Sequence, residues 1–562
     1  MRYESLLPRT ERELSVSERE GQPKISNREK RHIRAHHLNA IPIAFGSVIG
    51  ANVLTMSIMN FFELPTSYIS IIYLACLALT CVALLCCRLE LPKLSRTEHL
   101  VCVGMALLLF LPRVPYLFEN LLGYALSPLG DDDFHVPNLA SIIHTPIFPP
   151  RSIYDSRQYL AYYYAAWIPG AAVYYTGLLT TVKQALALIK FAYCFFCVYF
   201  PFYAARVLFS DRNTRIAFLV VYFLYGGFDF IYWISSLDLT PRHSAWWLLD
   251  FGFDLQFSNF MVLALWTPQH ILAGLSILFA LYLILKHDGV LPQVLAGVFF
   301  LSGLFTSPFT TFGSIPLVLW LFLKHKKLRA APLSALTFFV LSLPLWWIFL
   351  GNDRVGFQLF GALLSHEWVE HKRAAFVVFI AVLLLQLGPL IVTAAVRSKQ
   401  QPDSRWPFFL CVSYLLSTFF AYYSENYAMR GSIIPIFTLI YLSAPIISDW
   451  YQKAPRIAWR IAATTYLLGG LLEYTSFIRW AVHSLEYSNN AFGVAVLRSN
   501  ASPGDMESMD LARTAENYAS GWEMLEKNKP FTRDLGIEEA LEMHADNRYR
   551  VTFSRVFGRT SR

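Results

Sequence analysis

Three adjacent carboxylates and an imidazole, Asp131-Asp132-Asp133-Phe134-His135, are the residues of this chain whose types and spacing are best suited to chemistry. They lie in a polar segment between long apolar stretches. At a membrane surface such a group can bind a cation, accept a proton or hold a polar substrate. A solvated acidic turn has the same composition, so the surrounding elements have to decide between these uses.

Long apolar stretches dominate the chain and indicate an integral membrane protein. Hydrophobic residues make up 55% of the 562 residues, and aromatic residues make up 16%. A helix that crosses a bilayer needs about 20 mostly apolar residues, and roughly thirteen stretches reach this length. The sequence therefore predicts an all-α polytopic membrane protein with about 13 transmembrane helices, and not a series of soluble domains.

Basic residues divide the connecting loops into two sets. With the N-terminus in the cytoplasm, every loop on the inner side is basic, as the positive-inside rule requires. The net charge of +8 reflects this topology and gives no indication of nucleic-acid binding. The opposite loops are longer and richer in Asp, Glu, His and Trp, so we expect the acidic cluster to face outward. These loops are residues 119–158, 235–258, 351–373 and 422–431.

Three regions follow from this topology. They are a basic cytoplasmic tail (1–37), a transmembrane domain (38–478) and a small extracytoplasmic C-terminal region (479–562). The large first outer loop, 119–184, holds both the acidic cluster and the aromatic segment 159–181. Pro169-Gly170 interrupts that segment, and counting it as a span disturbs the charge pattern. We therefore expect an interfacial helix there.

Four ionisable residues lie within predicted spans and are functional candidates, because charge is costly in a bilayer. They are Lys190, Asp229, His270 and Glu473. In the predicted topology all four lie in the outer half of the membrane, on the side of the acidic loop. This grouping favours a cavity open to the outer face, although each residue alone is also explained by snorkelling or by an internal hydrogen bond.

The sequence gives little indication of redox chemistry, nucleotide binding or a specific metal site. The eight cysteines all lie in apolar segments, where we interpret them as small hydrophobic residues. No Walker or G-x-G-x-x-G loop stands in a suitable context, which argues against an ATP-driven pump. The Asp/His cluster has no specific ligand spacing. A divalent cation is therefore a possible cofactor, and no metal site is assigned.

Several motifs resemble large bacterial membrane proteins with the glycosyltransferase C fold. These are the D-x-x-x-H pattern from Asp131 to His135, the following LAYYYAAWIPGA, WTPQHILAG at 266–274 and ENYAMRGSIIPIF at 425–437. The resemblance extends to protein O-mannosyltransferases and to the aminoarabinose transferase that modifies lipid A. It implies an enzyme of the bacterial inner membrane that takes sugar from a polyprenyl-phosphate carrier at the outer face. It also implies a catalytic Asp in the first outer loop.

The resemblance assigns roles to individual residues. Asp131 matches the catalytic Asp, with Asp132 as a competitor and His135 as the residue that orients it. The expected substrate- and phosphate-binding residues are Asp133, Arg151, Tyr163, Arg242, Gln269, His270, Glu425 and Arg430. The chain departs from the mannosyltransferases in having Asp-Asp-Asp where they have Asp-Glu. It also lacks their basic phosphate ligand in the interfacial helix.

Two other functions fit the sequence. A transporter or flippase of lipid-linked or polar solutes would place polar groups on both sides of the membrane midplane. A non-catalytic assembly protein would keep the fold and lack the chemistry. The partners expected for the enzyme are a polyprenyl-phosphate sugar, membrane lipids and an unidentified envelope acceptor, with no nucleic acid.

Overall fold

A computed structural model describes the helical bundle and part of the loop 119–184. The described residues are 40–89, 91–117, 132–151, 159–160, 164–179, 181–226, 257, 259–327, 331–350, 372–418, 429–453 and 470. Among them there is no β-strand, and only two isolated bridges join loop residues. The predicted N-terminal tail and C-terminal region lie outside the described residues.

Sixteen α-helices are found in the described part of the chain. They are α1 (Ala40–Phe61), α2 (Ile69–Cys86), α3 (Arg96–Phe110), α4 (Val114–Leu117), α5 (Asp132–His144), α6 (Ile168–Tyr174), α7 (Val182–Leu208), α8 (Arg212–Leu224), α9 (Phe260–Trp266), α10 (Pro268–Lys286), α11 (Val290–Thr306), α12 (Pro308–Lys324), α13 (Ala331–Leu350), α14 (Lys372–Gln400), α15 (Arg405–Ser417) and α16 (Ile433–Lys453). Short 3-10 turns precede α2, α4, α6 and α15.

Among the described residues, seven helical segments are long and apolar enough to cross a membrane. They are Ala40–Phe61, Thr66–Cys86, Arg96–Leu117, Val182–Leu208, Pro268–Lys286, Phe379–Gln400 and Ile433–Gln452. Three shorter apolar helices accompany them within the described residues. The described residues are thus mostly helical and contain no strand, and their long apolar helices are compatible with a membrane protein.

Burial separates the inner helices from the lipid-facing ones. Helices α1, α7 and α10 are largely buried within the bundle. By contrast, α2 exposes large apolar side chains such as Ile71, Leu74 and Leu79. A helix that is apolar all round and still exposed is stable only against hydrocarbon, so α2 lies at the lipid boundary.

Polar caps determine where several helices begin. Ser95 and Glu98 form a capping box at the start of α3. The side chains of Thr181, Asp211 and Asn259 accept backbone hydrogen bonds at the starts of α7, α8 and α9. Each cap satisfies a backbone N–H that the helix itself leaves without a partner. The apolar helices therefore start at defined residues.

The apolar stretch 259–285 is long enough to predict a single span, but in the structure it is interrupted. Helix α9 ends at Trp266, Thr267 takes a non-helical conformation, and α10 starts at Pro268. Proline lacks the N–H that would continue α9, and its ring disfavours helical geometry at the preceding residue. The apolar length of the segment predicted one helix, and Pro268 divides it into two.

The described part of the aromatic segment 159–181 contains a short helix, whereas its interfacial location stays a prediction. A 3-10 turn over Tyr164–Trp167 leads into α6, which has 7 residues and is too short to cross a bilayer. Pro169 lies in the first turn of α6, where proline is favoured, so it starts the helix. Helix α6 packs against α2, α5 and α7.

A close approach of backbones holds α12 against the residues that precede α16. A Cβ built on Gly313 would overlap the carbonyl oxygen of Gly431. We expect Gly313→Ala to lower the free energy of unfolding by about 1–3 kcal/mol, because the two backbones must separate. Gly104→Ala is the matched control, since a Cβ there meets nothing within 4 Å. Equal unfolding midpoints for the two variants in detergent would contradict this packing.

Candidate functional site

Asp132, the first residue of α5, is a fully buried carboxylate. Arg113 Nε donates a hydrogen bond to its Oδ2 at 2.9 Å, and Lys190 Nζ donates one to its Oδ1. Arg113 follows α3, Lys190 lies in the first half of α7, and both are as buried as Asp132. These three residues, the Asp132 cluster, join the start of the acidic-loop helix to two spanning helices.

The two cations of the Asp132 cluster also bind the end of α9. Arg113 Nη1 donates to the carbonyl oxygen of Leu265, and Lys190 Nζ donates to that of Trp266 at 3.1 Å. The last carbonyls of a helix lack partners within it and carry partial negative charge. The interruption at Pro268 thus creates acceptors within the bundle, and the two cations satisfy them.

The Asp132 carboxyl is held in its charged form. Burial alone would raise its pKa, but the Arg113 guanidinium and the Lys190 ammonium hold the pKa well below its usual range. A carboxylate with such a low pKa is a poor proton acceptor at neutral pH. Its geometry is that of a structural anchor for α5.

His135 extends the cluster by one turn of α5. Its Nδ1 lies 3.4 Å from Asp132 Oδ1, and its Nε2 lies 3.0 Å from Gln269 Nε2. Burial lowers the pKa of His135 to about 3, and the Lys190 charge adds to this effect, so the ring is neutral at pH 7. An N–H of Gln269 then donates to Nε2, and the ring proton resides on Nδ1, toward Asp132. Trp167 packs on the ring with centroids 4.5 Å apart.

A second polar group surrounds His270. Its Nδ1 lies 2.9 Å from Ser307 Oγ, and Ser307 Oγ lies 2.8 Å from Thr310 Oγ1. Thr310 in turn donates to the backbone carbonyl of Arg430 at 2.9 Å. This chain of hydrogen bonds links α10 to the start of α12 and to the ENYAMRGSIIPIF motif.

Three buried polar atoms have no hydrogen-bond partner among the described residues. They are Gln269 Oε1, Thr267 Oγ1 and Trp167 Nε1. Gln269 and Trp167 both contact His135, and Thr267 lies two positions before Gln269 in the chain. Buried polar groups in folded proteins are nearly always paired with protein, water or ligand. The three atoms are therefore candidates for contacts with a small polar group.

The structure brings together some of the predicted site residues and separates others. Asp132, His135 and Gln269 are in contact, and His270 is linked to Arg430 through Ser307 and Thr310. Arg151 lies beyond the far end of α5, which spans about 18 Å at 1.5 Å per residue. Its guanidinium there packs over the ring of Tyr159, 4.2 Å from the centroid.

The other predicted site residues, or their side chains, lie outside the part of the chain that the structure describes. Asp131, Tyr163, Arg242 and Glu425 lie outside the described residues, as do Asp229 and Glu473. Asp133 belongs to α5, but its side chain is also outside the description. Within the described residues, no group of three or more His, Cys, Asp or Glu side chains is arranged to hold a metal ion.

Sequence reasoning missed Arg113. Arg113 lies inside the apolar stretch 98–118 and was not singled out there. The signal that could have identified it is its place at the end of that stretch which the predicted topology puts on the outer side, where the positive-inside rule disfavours a basic residue. A cation that breaks the rule and is flanked by apolar residues needs a buried partner. Asp132 is that partner.

Comparison with known proteins supplies no relative from which a role can be transferred. No protein-family model matches the chain, and no curated protein or solved structure matches it. The candidate site therefore has to be interpreted from its own chemistry.

Proposed function

We propose that the protein is a membrane glycosyltransferase that transfers a sugar from a polyprenyl-phosphate donor to an envelope acceptor. The observation that carries the proposal is the Asp132 cluster. It fixes the start of α5, and with it the acidic loop, beside an interrupted helix within a membrane bundle. Irregular backbone and buried charges at membrane depth are characteristic of functional cavities.

The low pKa of Asp132 supports a division of roles within the acidic cluster. Asp132 positions the loop, and its neighbour Asp131 is the candidate base. Consecutive Cα atoms are about 3.8 Å apart, so an anchored Asp132 restricts where Asp131 can lie. In the proposed reaction, Asp131 takes the proton of the acceptor hydroxyl as its oxygen attacks the anomeric carbon. The bond from that carbon to the phosphate oxygen breaks, and polyprenyl phosphate leaves.

The remaining polar groups are the proposed ligands of the sugar and of the phosphate of the donor. Gln269 Oε1 and Thr267 Oγ1 can accept hydrogen bonds from sugar hydroxyls. Arg430 and Arg242 are the proposed phosphate ligands, and Tyr163 and Glu425 the proposed sugar contacts. Arg113 and Lys190 together exceed the charge of Asp132 by one, which favours an anionic donor.

The proposal also specifies more of the architecture than the seven helices that are long enough to span a membrane. It comprises about 13 spans with the glycosyltransferase C topology, each about 20 residues long. The reaction takes place at the extracytoplasmic face of a bacterial inner membrane. The N-terminus is cytoplasmic and the C-terminus extracytoplasmic in this arrangement.

One observation favours a transporter as the second candidate. Helix α1 buries Ser47, Asn52, Ser57 and Asn60, which extend over about 20 Å at 1.5 Å per residue. A solute path needs polar groups at several depths. Each of these four side chains donates a hydrogen bond within the protein, however, so all of them serve as contacts within or between helices. We therefore rank the transporter below the enzyme.

Sugar transfer by the purified protein in nanodiscs tests the proposal. Wild type would be incubated with a panel of polyprenyl-phosphate sugars and crude envelope acceptors, with and without EDTA. We expect transfer from at least one donor, and the EDTA arm measures any need for a divalent cation. Heat-inactivated protein is the control for uncatalysed transfer.

Binding of the lipid donors without turnover would contradict the enzyme. Solute or lipid-linked sugar movement across proteoliposomes, measured in parallel, would then support the transporter. Absence of both turnover and transport would favour the non-catalytic assembly protein.

A further inference from the structure

Two ion pairs bring three loops together at one end of the bundle. Lys327 Nζ lies 2.7 Å from Asp288 Oδ1, which joins the end of α12 to the turn between α10 and α11. Lys324 Nζ lies 3.1 Å from Asp403 Oδ2, which joins the end of α12 to the connection between α14 and α15. We call the surface formed by these three loops the basic loop surface.

Positive charge on the basic loop surface greatly exceeds negative charge. Its basic residues are Lys286, Lys324, Lys326, Lys327, Arg397, Lys399 and Arg405. Asp288 and Asp403 are its acidic residues within the described part of the chain. Five of the basic residues are exposed, all except Lys327 and Arg397. Such a surface attracts anions from its surroundings.

Exposed apolar side chains lie directly beside these cations. Leu319 and Leu323 on α12 are 54% and 63% exposed, and Trp406 and Phe409 on α15 are 62% and 58% exposed. Helices α12 and α15 pack against each other, so these residues belong to adjoining helices. The Trp320 ring lies 4.9 Å from Lys324 Nζ. Tryptophan beside lysine at a helix end is typical of the membrane–water interface.

We propose that the basic loop surface binds the headgroups of anionic phospholipids. Lys324, Lys326 and Arg405 contact the phosphate, and the acyl chains lie along Leu323 and Phe409. Basic clusters at the ends of membrane helices attract anionic lipids by about 1 kcal/mol for each cation, or about fivefold in affinity. A soluble anion gains nothing from the apolar side chains, so the lipid is the occupant that uses both parts of the surface. This inference does not depend on the proposed sugar transfer.

Native mass spectrometry of the detergent-purified protein tests this inference. The probes are phosphatidylglycerol and phosphatidylcholine of equal chain length. The test variant carries Lys324→Gln, Lys326→Gln and Arg405→Gln. The matched control carries Lys93→Gln, Arg96→Gln and Arg212→Gln, which removes three exposed cations from other loops. A charge-conserving variant, with Lys324→Arg, Lys326→Arg and Arg405→Lys, separates lost charge from lost folding.

Wild type, the matched control and the charge-conserving variant should all prefer phosphatidylglycerol. The test variant should bind it roughly a hundredfold more weakly, since three cations are lost at about fivefold each. Equal binding of the two lipids by wild type would overturn the inference, as would equal weakening in the test and control variants. Competition by inorganic phosphate at the lipid's concentration would also overturn it, because it would identify a simple anion site.

Discussion

Replacing Asp132 with Asn should lower the free energy of unfolding by about 3–5 kcal/mol. The substitution leaves Arg113 and Lys190 buried side by side without their counter-charge. An amide of the same shape keeps one acceptor oxygen, but it is neutral and cannot offset two positive charges in a medium of low polarity. Unfolding in mixed detergent micelles, followed by circular dichroism, measures the change.

Asp403→Asn is the matched control for this loss. Its carboxylate also pairs with a lysine, but the side chain is 84% exposed, so we expect a change within about 1 kcal/mol. Adding Lys190→Met to Asp132→Asn should restore part of the lost stability, because one uncompensated charge is removed. If Asp132→Asn and Asp403→Asn lower the free energy of unfolding by the same amount, the Asp132 cluster does not anchor α5 in the way proposed.

Asp131→Asn should reduce sugar transfer by about 10²–10⁴-fold, the usual contribution of a general base. The amide keeps the shape of the side chain and cannot take the acceptor's proton. Stability should stay at the wild-type value, because Asp132 still holds α5. Initial transfer rates in nanodiscs and unfolding in micelles, measured on the same preparation, check both expectations.

The two adjacent aspartates thus differ in what their loss affects. Full transfer by Asp131→Asn would remove it as the base, while a parallel loss of stability would assign it a structural role. Asp403→Asn serves again as the control, since it removes a carboxylate from a loop outside the proposed site. Asp131→Glu, which retains the carboxylate, should keep more activity than Asp131→Asn.

The class of the protein could be predicted from the sequence because long apolar segments have few alternatives to crossing a membrane. The apolar stretches 98–118 and 185–209 of the sequence also predict helices close to Arg96–Leu117 and Val182–Leu208, since caps and charges define their ends. The interruption at Pro268 was harder to predict. Hydropathy averages over the whole segment, whereas the break depends on one missing N–H and one steric clash.

The candidate site was predicted only as separate residues. Asp132, His135, Lys190, Gln269 and His270 were each singled out, but apart from His135, which was expected to orient the aspartate, nothing in the sequence pairs them. Asp132 and Lys190 are 58 positions apart, and their contact depends on how α5 packs against α7. A carboxylate that is paired with buried cations is a poor proton acceptor, whereas an unpaired carboxylate can act as a base. A prediction of single residues could therefore not distinguish an anchor from a base. Asp132 was ranked as a competitor for the catalytic role because of its position beside Asp131.

The order of the Asp132 cluster along the chain has a consequence for biogenesis. The chain is synthesised from its N-terminus, so Arg113 and Asp132 precede Lys190. An isolated lysine at the centre of a span costs about 2.5–3.5 kcal/mol during translocon insertion. When α7 reaches the bilayer, the carboxylate that pairs with Lys190 has already been translated. The carbonyl of Trp266, 76 positions after Lys190, arrives later and adds a second hydrogen-bond acceptor for the lysine.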